Sequence, residues 1–186
     1  LALDGYPHGH PLAAQTQISS ILFEGNEATS TSGGGGAVAL VETQGLTMNS
    51  LTFKNNLAAS QGGALHLYSS QSTDLTELTL TDSSFEGNSA GEYGGAVYLK
   101  ASSGQAIFHA ERVTFTENEQ TDKHASRHGG GAIYLLDNSE VKLRQCTLDK
   151  NEAADNANNG EPQGHQIATF KTTVEPSITV VNTEFV

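Results

Sequence analysis

Tryptophan is absent from these 186 residues, methionine and cysteine occur once each, and 9 lysines and arginines stand against 21 aspartates and glutamates. Each scarcity excludes something. A lone Cys146 has no partner for an internal disulfide, so no covalent staple holds the fold. A formal charge of −12 repels phosphate backbones and anionic lipid, which argues against nucleic acid and a bilayer surface as partners. No apolar run approaches about 18 residues, and the first residues lack the charged and apolar regions of a secretory leader. The expectation is a chain with no transmembrane segment and no leader. Its length suits one domain with a core of its own.

What is plentiful is glycine, 20 residues of it, and its placement is periodic. The strings GGGAVAL (34–40), GGALHL (62–67), GGAVYL (94–99) and GGGAIYL (129–135) align, with GHQIATF (164–170) as a worn copy. A second motif alternates with them: FEGN at 23, FKNN at 53, FEGN at 85, FTEN at 115 and LDKN at 148. Its first position advances by 30, 32, 30 and 33 residues, and Phe185 lies 37 beyond Leu148. Such a period marks a repeat architecture.

Within each copy the apolar residues alternate at the strand period of two. Leu46 and Met48, Leu78 and Leu80, Phe108 and Ala110, Val141 and Leu143, and Ile178 and Val180 precede the motif; Val38 and Leu40, Leu65 and Leu67, Val97 and Leu99, and Ile133 and Leu135 follow the glycines. A unit of about 30 residues with about three short strands has no way to bury its apolar face alone, whereas coils stacked at roughly 4.8 Å do. Propellers need longer units of about four strands, and the leucine and asparagine spacing of leucine-rich repeats is missing. The expected fold is all-β: a right-handed parallel β-helix of about five to six coils over residues 16–186, preceded by an irregular arm or cap at residues 1–15. In that fold Gly35, Gly62, Gly94 and Gly130 form a corner column, where a turn beneath another coil favours positive φ and a missing Cβ. Asn26, Asn56, Asn88, Asn118 and Asn151 form a second column of stacked amides.

The alternation of FxxN with GGA followed by Ile, Leu or Val resembles the passenger repeats of chlamydial polymorphic membrane proteins and the wider group of β-helix surface proteins that share them, over roughly residues 20–151. The resemblance implies an exported, surface-exposed, adhesin-like passenger, with no catalytic or metal residues to carry over. The translocator barrel of the full family pattern is not in this sequence.

Other constellations are weaker. Ala39, His66, Tyr98, Tyr134 and Ala168 occupy one outward column, in which Tyr98, Tyr134 and His66 are the candidate contacts for a sugar ring or a partner's side chain, against a simple cross-strand stack. His8 and His10 with Asp4, and His124 with His128, have ligand-like spacings but too few ligands for a metal site. Asp155, Glu161, Glu117 and Glu119 are the acidic loop residues available to calcium, without the fixed spacing of a calcium loop. The expected cofactor list is empty. Cys146 aligns with Ile21, Leu51, Ser83, Val113 and Thr183, which reads as an interior, inert thiol. Asp82 near Glu86 is the best carboxylate pair for the acid and base work of a polysaccharide-cleaving β-helix. The loops EQTDKHASRHG and EAADNANNGEPQ collect where solenoids often bind, and a bare last coil at NTEFV calls for cover by more coils or by the next subunit.

Together these features predict a non-enzymatic, extracellular structural or adhesive protein, secreted or at the cell surface. It is either an adhesin passenger that binds a surface protein or glycan, or a filament subunit joined end to end with itself. The alternative is a carbohydrate-binding or polysaccharide-degrading β-helix.

Overall fold

The computed structural model describes residues 2–4, 17–31, 34–70, 75–121, 129–154 and 166–186. Among them no helix occurs, and the strands pair in parallel into sheets of ten, six and five strands. Each coil runs through a glycine-led strand, a strand before the FxxN motif, the motif's own short strand, and a two-residue strand after it, as in Val38–Val41, Leu46–Asn49, Thr52–Lys54 and Leu57–Ala58. In Val97–Glu111 and Ile133–Arg144 the first two strands run on without a break, which joins them into the ten-stranded sheet.

The register keeps every repeat position in line. Leu46 pairs with Leu78 and Leu78 with Phe108, while Phe53 pairs with Phe85 and Phe85 with Phe115. A slip of one residue would turn every aliphatic side chain outward, so burial enforces this register. Alternate residues are buried, and Val38, Leu40, Met48, Phe53, Leu78, Leu80, Phe85 and Phe115 reach zero exposure. Rings of the motif column stack nearly flat, with centroids 5.0 Å apart for Phe23–Phe53, 4.6 Å for Phe53–Phe85 and 4.9 Å for Phe85–Phe115. These separations match the spacing between hydrogen-bonded strands, so the stack follows from the coil rise. Each buried ring contributes about 2–3 kcal/mol.

Two features differ from the expectations above. About four turns, spanning 34–154, have a closed interior, slightly fewer than the five to six coils suggested by counting motifs. The rungs beyond them are partial: Ile178, Val180 and Phe185 occupy core columns yet are 42%, 42% and 49% exposed. Secondly, Ala2–Asp4 is a strand paired in parallel with Val38–Val41, so this part of residues 1–15 is not irregular. Ladder bonds join backbone to backbone and need no glycine motif, which is why the segment's sequence did not announce it. The rest of the expected arm lies outside the described residues.

Candidate functional site

The corner glycines divide their labour. Gly94, the first of its pair, has φ +59°, a left-handed backbone that other residues adopt at a cost. Gly95, the second, lies so close to the next coil that an added Cβ would sit 2.1 Å from the Gly131 carbonyl oxygen. Gly35, Gly62 and Gly130 repeat the positive φ of Gly94.

Beside this corner runs the asparagine ladder. The backbone N–H of Asn56 and its side-chain Nδ2 both donate to Oδ1 of Asn88, at 3.0 and 2.8 Å. Nδ2 of Asn56 also donates to the Phe23 carbonyl at 3.0 Å. Asn88 does the same to Asn118 and Phe53, and Asn118 to Asn151 and Phe85. Asn26 starts the series by donating to Asn56. One amide thereby joins three coils, and from Asn56 to Asn151 it is buried.

Sequence reasoning missed the ladder's last member. Gln166, reaching in from before the strand Ile167–Phe170, accepts from Asn151 Nδ2 at 2.6 Å and donates through Nε2 to the Leu148 and Val186 carbonyls at 3.3 and 3.0 Å. It makes the contacts of an asparagine from the alanine position of the worn GHQIATF copy, in line with Ala132, so the spacing of the motif asparagines did not signal it.

The tyrosine column requires a correction. Tyr98 and Tyr134 point away from the aliphatic core but are 1% and 2% exposed, so neither ring is free to stack a sugar or a partner. Tyr93 lies over both, with centroids 5.7 and 4.8 Å away. Burial pushes the Tyr98 phenol far above its ordinary value, so it stays protonated. His66, in the same column, is half-buried and packs 5.1 Å from the Tyr98 ring, and its Nε2 is buried. Desolvation lowers its pKa to about 4, with Lys100 pushing the same way.

The candidate carboxylate pair is not assembled as a pair. Asp82 accepts from Nε and Nη2 of Arg112 at 2.6 and 2.8 Å, and from Asn49; the bonds from Arg112 hold its carboxyl below the usual range. Glu86 pairs instead with Lys54 at 3.2 Å. Cys146 is buried, with Sγ 3.4 Å from the Ala110 and Arg144 carbonyls, and desolvation raises its pKa. Among the described residues no three His, Cys, Asp or Glu side chains converge on one point, and no helix is long and apolar enough to cross a membrane. Glu117 and Glu119 are exposed. The side chains of His8, His10, Asp4, His124, His128, Asp155 and Glu161, and most of both long loops, lie outside the described residues.

Fold and side chains therefore define a class: a parallel β-solenoid held by glycine, phenylalanine and asparagine columns. Residues 50–68 and 82–100 match the model of the Chlamydia polymorphic membrane protein repeat. Each matched stretch runs from the corner before a motif strand into the glycine-led strand that follows, so the resemblance read from FxxN and GGA is borne out on these two copies. No curated protein and no solved structure matches the chain.

Proposed function

We propose that this chain is a non-enzymatic, surface-exposed β-solenoid that acts as an adhesive or structural element outside the cell. The observation that carries the reading is the match of two successive coils to a repeat named for membrane proteins of Chlamydia, on a solenoid whose repeated residues are absorbed in holding coils together. The non-enzymatic part is supported by Asp82 and Glu86, each of which is engaged by its own cation on a neighbouring coil. A net charge of −12 favours a protein or glycan partner over nucleic acid. Adhesion then belongs to the side that carries the long loops, since insertions leave the stacked columns undisturbed.

The experiment is retention of coated beads on a layer of cultured cells. Beads carrying the folded chain are expected to be held several-fold better than beads carrying heat-unfolded chain; equal retention overturns the adhesive reading. A second reading, end-to-end joining of copies, is favoured by the exposed Ile178, Val180 and Phe185 in core columns. Electron microscopy of the native protein decides it: fibres with an axial repeat of one domain support joining, and dispersed particles overturn it.

A further inference from the structure

Among the described residues, His66 Nε2 is the one buried side-chain nitrogen or oxygen with no hydrogen-bond partner. The ring sits beneath the first glycine corner. A Cβ placed on Gly34 would meet its Nδ1 at 2.7 Å and its Cγ at 3.0 Å. Gly34 in turn is bridged in parallel to Gln61, and Gly35 N–H donates to the Gln61 carbonyl at 2.9 Å. Tyr98 lies 5.1 Å away on the next coil and Tyr68 6.1 Å away on the histidine's own strand.

Among the described residues, the groups that face the imidazole offer it no counter-ion. Tyr68 stands on its own strand, and Tyr98 and Lys100 stand on Val97–Glu111. Ala39 and Val41 of the preceding coil, with Gly34 and Gln61 at the corner, do not titrate. Lys100 is the charge that acts on the ring, and it has the sign of the proton to be added. A charged imidazole left here would be desolvated, unpaired and repelled.

We propose that His66 is an acid-sensitive latch: protonation drives the ring out from under Gly34 and releases the Gly34–Gln61 bridge, while the inner ladders stay closed. Those ladders contain phenylalanine rings and asparagine amides, which do not titrate in this range. The neutral ring is favoured in the closed corner, whose pKa is lowered to about 4. Once in water the ring takes up a proton near the ordinary histidine value of about 6.5. The closed corner is therefore at full stability above about pH 6.5 and loses it as pH falls towards about 4.

Amide exchange of the whole chain, followed by NMR and corrected for intrinsic rates, tests this. Protection of Gly35 and Gly36 is expected to fall roughly twenty-fold between about pH 7 and about pH 5, with Asn88 unchanged, and His66→Phe should abolish the effect. The same pH dependence in wild type and His66→Phe overturns the latch. Should the variant not fold, the wild type decides: loss of Gly35 and Gly36 protection in step with titration of the His66 ring, with Asn88 unchanged, upholds the proposal, and ring titration without that loss overturns it.

Discussion

At the scale of single residues, glycines of similar appearance carry unequal loads. Gly95 is held by space, because its missing Cβ is what lets the Gly131 carbonyl approach. Gly25 is held by conformation alone: its φ is +63°, and nothing lies within 4 Å of the missing Cβ. Gly95→Ala is expected to cost about 3 kcal/mol or more, since backbone on two coils must move. Gly25→Ala is expected to cost about 1–2 kcal/mol, the strain of a left-handed alanine. Urea unfolding of the two variants measures the difference, and equal midpoints would contradict the division. Sequence showed the recurring glycine pair that contains Gly95, but whether space or conformation requires a glycine is settled only when the neighbouring coil is in place.

The elements show why the FxxN motif reads as it does. Its first position supplies a ring, or Leu148 in the last copy, and its fourth the ladder amide, while the third, Gly25, Asn55, Gly87, Glu117 or Lys150, turns with φ between 50° and 63°. Glycine and asparagine tolerate that turn best, and where glutamate or lysine stands there the ladder holds the backbone against its preference. The amide column therefore acts as an element in its own right, perpendicular to the strands it joins. Asn88→Ala removes, in a buried place, the acceptor of the Asn56 backbone N–H and the amide that donates to the Phe53 carbonyl, while Asn56 Nδ2 keeps its bond to the Phe23 carbonyl, so it is expected to cost about 2–4 kcal/mol. Asn26→Ala, at an exposed rung, is expected to cost under about 1 kcal/mol. Thermal unfolding compares them; a mild Asn88→Ala would show that water replaces the amide.

Across the whole molecule, each coil touches chiefly the coil above and the coil below, so stability is a sum of neighbour terms and is smallest where one neighbour is missing. Ser177–Val181 is exposed along its length, whereas Leu75–Thr81 alternates with buried residues between two coils. Hydrogen exchange is expected to reach Ser177–Val181 first and Leu75–Thr81 last, with protection differing by at least about a hundred-fold. Uniform protection would mean that the solenoid opens as a single unit.

The sequence by itself determined the stacked architecture, because identical side chains at a steady period align only when coils pile up in register. Leu46, Leu78 and Phe108, or Asn56, Asn88 and Asn118, were readable as columns before any coordinate. Tertiary structure alone decided the contacts made at positions whose residue changes from coil to coil. Tyr93 covers Tyr98 and Tyr134, Gln166 completes the asparagine ladder, and Arg112 takes Asp82 from Glu86. Thr172 and Thr173 likewise donate to the buried Asp137 from the following coil. These positions align from coil to coil but do not repeat their residue, and a contact between unlike side chains leaves no recurring letter to read in the chain.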